Sequence, residues 1–356
     1  MPEFSVLAGK DIVELLDGRE SEVISWVEDA YLTHDAGRTV NPDSYFLRFP
    51  DKPDARIIAL PAFLGSPETP TAHAAHRAGQ PADTAAADAV AGIKWISSFP
   101  ANTREGLPRA SAVLVLNDHR TGYPFALLES AGISAARTAA SAALAATALR
   151  DRPPARIGVV GAGVIARTVC RYLAATGIEL TDVVCHDLDA DSAAALAGHL
   201  AERHGTAGHA VRTGNLDEAL TADLVVLATT ALHPYIGTEH ALRAGQTVLN
   251  ISLRDLHPEL LLTARNVVDD VEHCLKANTS PHLAEQLLGG DRSFIDGTLA
   301  DVLRGRVTLT PDRPVVFSPF GLGVLDLAVG HRLHRRAREL GRLLDVPGFF
   351  GETRRW

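Results

Sequence analysis

The eleven residues Arg156-Ile-Gly-Val-Val-Gly-Ala-Gly-Val-Ile-Ala166 carry the sharpest chemical signal in the chain. Gly161, Gly163 and Ala166 fill the small positions of a G-x-G-x-x-G/A pattern. The first small residue permits a tight turn, the second lets the backbone approach a pyrophosphate, and the third lets a helix sit close to its strand. Free N–H groups at the start of that helix then hold phosphate oxygens. Gly161, Ala162, Gly163, Val164 and Ile165 are therefore expected to contact a dinucleotide. Asp187 closes the next predicted strand, 21 residues beyond Ala166. An acid at that point accepts hydrogen bonds from a ribose 2′-hydroxyl and repels a 2′-phosphate, which favours NAD over NADP. The alternative is that Asp187 and Asp189 only cap a helix starting near Asp191.

Two more apolar runs, 224–228 and 247–251, end in Thr229-Thr230 and in Ser252-Leu253-Arg254-Asp255. Ligands of parallel sheets bind outside the carboxyl ends of the strands. Thr229, Thr230, Asn250, Ser252, Leu253 and Asp255 are thus expected around the nicotinamide. Among the cations, four lysines (Lys10, Lys52, Lys94, Lys276) stand against 30 arginines in an alanine-rich chain. A lysine retained under such a bias points to a chemical need, and Lys94 lies between apolar strand residues. Arg137 is read in the first turn of a helix of small residues.

These residues need elements to position them. Strands are predicted over 4–7, 44–49, 56–62, 92–99 and 111–117, and helices over 20–37 and 133–150. Asp151-Arg-Pro-Pro154 breaks the chain, and from 155 to about 270 strands alternate with helices, the signature of a parallel sheet. The segment 69–91 reads as a surface loop, where His73 and His76 lack a neighbouring cysteine or carboxylate for a metal site. The tail after Gly321 reads as helical, and its basic run 331–338 as a solvated helix face. The fold class expected is α/β: a Rossmann domain over 131–319, and an α+β substrate and dimerisation domain over 1–130 and 320–356.

Composition removes several classes. A net charge of −9 without a basic stripe argues against nucleic acid. No apolar window is long enough for a membrane span, and the first residues do not resemble a signal peptide. Cys170, Cys185 and Cys274 lack metal-ligand spacing and read as reduced thiols, consistent with a cytoplasmic setting.

The stretches 91–102, 116–124 and 133–140, in this order before the glycine loop, resemble the ornithine cyclodeaminase/mu-crystallin family. The resemblance implies a homodimer. It also implies that Arg48, Lys94 and Arg137 hold a substrate carboxylate, with Asp255 and Lys94 at the chemistry and Thr138 beside the cofactor. Lys94-Trp-Ile-Ser-Ser-Phe-Pro100, 107–112 and above all 268–280 resemble one branch, the N-(2-amino-2-carboxyethyl)-L-glutamate dehydrogenases. That likeness implies NAD-dependent release of L-2,3-diaminopropionate and 2-oxoglutarate from an amino-acid conjugate, feeding siderophore or peptide-antibiotic assembly. Its three carboxylates suit a cluster of Arg48, Lys94, Arg109 and Arg137. Cyclodeaminases carry Gly-Gly before the aspartate and Pro-Gly-Lys after it, whereas this chain has Leu253-Arg254 and Leu-His-Pro-Glu259. Ornithine cyclisation, a ketimine reductase or alanine dehydrogenase, and a non-catalytic nucleotide-binding protein remain the alternatives.

Overall fold

The computed structural model describes residues 3–66, 89–204 and 210–351. The chain divides into two compact units, Met1–Arg137 with Leu322–Trp356, and Thr138–Gly321. The division falls inside the helix Ala131–Ala148.

The first unit is built on a mixed eight-stranded sheet. Its centre is a run of antiparallel neighbours: Tyr45–Phe49, Lys52–Leu64, Val90–Ser98, Ala110–Asp118 and Pro124–Glu129. Alternation with period two separates its faces. Leu60, Ala62, Val90, Lys94, Leu114, Leu116 and Leu128 are buried on one side, while Tyr45, Leu47, Trp95 and Val113 stay exposed on the other. The helix Gly323–Glu339 lies on the buried face. Two glycines set how close it comes. A Cβ on Gly330 would stand 2.3 Å from the Leu114 side chain, and one on Gly92 would stand 2.8 Å from Leu327.

The second unit is an eight-stranded, wholly parallel sheet. Counted in chain order, its first five strands run 3-2-1-4-5, the dinucleotide-binding order. Strands such as Ile157–Val160 and Leu224–Leu227 are buried at every residue, as expected when helices cover both faces. The order reverses between these two strands, which makes their carboxyl ends a crevice.

Several readings are corrected. Arg137 is the seventh residue of its helix, in the second turn. The tail is not helical throughout: Leu344–Asp345 returns as a strand beside Ser5–Leu7. The basic run is not wholly solvated, because Leu333, His334 and Ala337 are buried. His334 lies 3.1 Å from Ser5 Oγ, and burial pulls it down to about 4. The loop assigned to 69–91, with His73 and His76, falls mostly outside the described residues; its last part begins the strand Val90–Ser98.

Candidate active site

The glycine loop follows Ile157–Val160 and opens the helix Val164–Ala175. Gly161 sits at φ +90°, and a Cβ there would meet the Ala228 carbonyl oxygen at 2.4 Å. Only glycine tolerates both conditions. Gly163 is the opposite case: a Cβ would meet nothing within 4 Å, so the backbone faces open space. Val164 is exposed at the helix start, Ile165 half-buried behind it, and Ala166 fully buried against the sheet. Asp187 follows the strand Asp182–His186. Its carboxylate accepts from Ala162 N at 2.7 Å and from Asp189 N at 2.9 Å. The helix beginning at Ala190 is served by Asp189 instead, which accepts from Ser192 N and Oγ. Asp187 is therefore tied to the glycine loop rather than spent on the next helix. This cradle fits a dinucleotide: an open backbone turn, a helix start and an acid at the end of the second strand.

At the crevice, Thr229 Oγ1 donates to Asp255 Oδ1 at 2.5 Å and Tyr235 OH donates to the same oxygen at 3.1 Å. Asp255 is fully buried, and its Oδ2 has no hydrogen-bond partner among the described residues. Burial, and then the Asp255 charge, push the Tyr235 hydroxyl well above its ordinary value, so it remains a donor. Tyr235 was not singled out in the sequence, because nothing local links Leu-His-Pro-Tyr235 to an aspartate 20 residues on. Thr230 is exposed and half-buried Ser252 has a buried, unpartnered Oγ. Asn250 is buried and donates to Ser318 Oγ at 3.1 Å, with its own Oδ1 unpartnered among the described residues. Thr138 is half-buried in its helix.

The loop holding Asp255 is braced from the segment 268–280. Arg254 donates twice to the Ala277 carbonyl, at 2.6 and 3.1 Å. Ser280 N donates to Leu253 O, and Ser280 Oγ donates to Leu256 O, both at 2.7 Å. Leu253, Ala277 and Asn278 are the non-glycine residues at positive φ among the described residues, and all lie in these two joined loops. Leu253 holds φ 75° at the position where cyclodeaminases place glycine.

In the first unit, Lys94 and Arg137 converge on a residue the sequence analysis missed, Asp326. Lys94 Nζ donates to Asp326 Oδ2 at 2.7 Å and to Ser134 Oγ at 3.1 Å. Arg137 Nε donates to Asp326 Oδ1 at 3.3 Å. Lys94 is 1% and Asp326 0% exposed. Burial, then the Arg137 charge, pull the Lys94 ammonium down to about 8, against the opposing pull of Asp326. An ammonium has three donors and a guanidinium five. One N–H of Lys94 and the terminal nitrogens of Arg137 thus stay uncommitted among the described residues. An acid inside the apolar run Leu322-Gly-Val-Leu-Asp326-Leu-Ala-Val329 was the available signal.

Arg48 and Arg109 do not join this cluster. Arg109 Nη1 donates to Ser98 Oγ at 2.8 Å, and Arg48 lies over the Phe46 ring, 5.4 Å from its centre.

The ornithine cyclodeaminase/mu-crystallin family model matches residues 73–340. The chain belongs to this family. It is 25% identical to the N-((2S)-2-amino-2-carboxyethyl)-L-glutamate dehydrogenase of Staphylococcus aureus (strain NCTC 8325 / PS 47), over 94% of this chain and 96% of that one. It is 24% identical to an alanine dehydrogenase of Archaeoglobus fulgidus, over 94% and 95% of the two chains. The crystal structure of CmnK matches with a TM-score of 0.81 at 27% identity, covering 99% of this chain and 100% of that one. The two curated relatives are dehydrogenases by name, and CmnK shares the fold of this chain.

Proposed function

We propose that the protein is an NAD-dependent oxidoreductase that cleaves N-(2-amino-2-carboxyethyl)-L-glutamate to L-2,3-diaminopropionate and 2-oxoglutarate, as a cytoplasmic homodimer supplying siderophore or peptide-antibiotic assembly. The substrate reading is supported by the likeness along nearly the whole chain to the staphylococcal dehydrogenase and by the departure from the cyclodeaminase loop at Leu253-Arg254. The observation that carries the chemistry is Asp255, buried, with one oxygen fixed by two hydroxyls and the other without a hydrogen-bond partner among the described residues.

NAD supplies the hydride acceptor when bound. Gly161, Gly163 and the start of the helix at Val164 would hold its phosphates, and Asp187 would take the ribose hydroxyls. Lys94 and Arg137 hold the α-carboxylate of the glutamyl half with the donors Asp326 leaves uncommitted. The secondary amine loses its proton to Asp255 Oδ2 as the glutamyl Cα loses hydride. One water then adds to the resulting C=N bond, and collapse releases the amine and the keto acid. Thr229 and Tyr235 keep the carboxylate aimed through both steps. The dimer reading draws on the exposed sheet face, where Tyr45, Ala59, Trp95 and Val113 form one cross-strand row.

The test follows NADH absorbance with the purified protein, NAD and a panel of amino acids. NADH is expected with the conjugate, and not with ornithine, alanine or free glutamate. Proline and ammonia from ornithine at a higher rate would overturn the reading in favour of a cyclodeaminase. NAD should outcompete NADP, with Asp187→Ala shrinking the difference.

A further inference from the structure

Three arginines meet on the sheet face that also carries Lys94, four residues further along the strand Val90–Ser98. Arg48 pairs directly across the strands with Arg56, and Arg56 pairs directly with Ser98. Ser98 in turn accepts from Arg109 Nη1 at 2.8 Å. Directly opposed residues lie about 5 Å apart, so Arg48 and Arg56 leave the sheet side by side, and the hydrogen bond to Ser98 brings the Arg109 guanidinium to the same point. Like charges placed opposite each other in a sheet destabilise it. Salt bridges elsewhere in the unit, such as Arg332 with Asp29 and Arg342 with Glu14, give arginines their carboxylates. Among the described residues, no carboxylate pairs with Arg48, Arg56 or Arg109. Arg56 and Arg109 are also half-buried and Ser98 buried, so water alone does not dissipate the charge. Burial first, and then the Arg109 and Arg48 charges, pull the Arg56 guanidinium below its ordinary value. A local rule broken in this way marks a site that a ligand completes.

We infer that Arg48, Arg56 and Arg109, gathered around Ser98, form a second carboxylate subsite, and that Arg56 sets a preference for substrates bearing a carboxylate beyond the one Lys94 and Arg137 hold. This rests on the function proposed above and names what selects its substrate. From Lys94 to Ser98 the strand runs about 13 Å at roughly 3.3 Å per residue. A conjugate of two amino acids spans such a separation with the side chains of both groups leaning inward, whereas alanine or ornithine reaches only one group. Arg56 is the discriminating member because it stands between the other two and is less solvated than Arg48. A planar fork of donors suits it to a carboxylate in two-point contact.

The test compares the full-length wild type with Arg56→Gln and Arg56→Lys. A lost charge-assisted contact is expected to raise KM for the conjugate about 10- to 100-fold, with kcat within about threefold and the lysine variant intermediate. A second measurement does not need turnover: calorimetric binding of 2-oxoglutarate and of pyruvate to the NADH-loaded protein. Arg56→Gln should weaken 2-oxoglutarate by a similar factor and leave pyruvate unchanged. Its thermal midpoint should not fall, since a repulsion is removed. If the wild type oxidises the conjugate and Arg56→Gln does so with unchanged KM, the subsite is overturned and the function stands. If the wild type fails to oxidise the conjugate while Arg56→Gln still abolishes a preference for 2-oxoglutarate over pyruvate, the subsite stands and the function falls. Equal weakening of both keto acids would reduce Arg56 to a structural role and overturn the inference.

Discussion

Asp326 and Asp255 are both 0% exposed, yet their surroundings fit them for opposite work. Asp326 spends one oxygen on an ammonium and the other on a guanidinium. It is a fixed counter-ion, and its service is to hold two cations that keep donors uncommitted among the described residues. Among the described residues Asp255 has only neutral donors, both on Oδ1, and its buried Oδ2 has no partner. Burial alone therefore does not distinguish a scaffold from a base. The partner set does: Asp326 is matched by two cations, while Asp255 is held by two hydroxyls on one oxygen only.

The comparison breaks most visibly at Asp255. Asp255→Asn should lower kcat by about 10²- to 10⁴-fold, with NAD affinity by fluorescence titration unchanged; a near-normal kcat would assign the base elsewhere. Asp326→Asn should act on stability first. It strands two cations, and removing one partner of a buried pair costs about 3–5 kcal/mol, read as a lower thermal midpoint. Adding Lys94→Met should recover part of that loss, because one stranded charge goes with it; strict additivity would show that the pair does not act as a unit.

Acidity separates the two regions next. Lys94 must be charged to hold a carboxylate and loses its proton near 8. Affinity for 2-oxoglutarate should therefore fall as pH rises through about 8, and Lys94→Arg should flatten that profile. Stability runs the other way. Between about 8 and the ordinary lysine value the unfolded chain binds the extra proton, so this group makes folding more favourable as pH rises. The smallest effect is expected at Leu253→Gly. A left-handed leucine costs about 1–2 kcal/mol, and glycine offsets about 0.4–1 kcal/mol of that relief through unfolded-state entropy, so chemical denaturation should shift by about 1 kcal/mol. Arg254→Ala, which frees the loop from Ala277, should slow turnover more than it lowers stability.

How much of this was legible follows from how local each feature is. The glycine loop could be read because its three small positions answer to one turn and one helix start. Asp187 could be read because its distance from the loop is set by a single helix and strand. Asp326 could not be placed, because its meaning lies with Lys94, 232 residues away, and with the close helix approach that Gly92 and Gly330 allow. Arg56 was passed over inside a predicted strand; only the register that sets it between Arg48 and Ser98 gives it a role. Leu253 hid its left-handed backbone, since leucine gives no sign of positive φ.

The arginine trio also bears on how an anion arrives. The chain as a whole carries −9 and repels a polycarboxylate at long range. At physiological salt that repulsion is screened beyond about 8 Å, so the approaching molecule meets the arginines as its nearest field. Salt thus acts twice on capture, lifting a distant barrier while weakening the final pull. The bimolecular rate, followed by stopped flow, should pass through a maximum at intermediate ionic strength, and neutralising Arg56 should make the falling limb shallower.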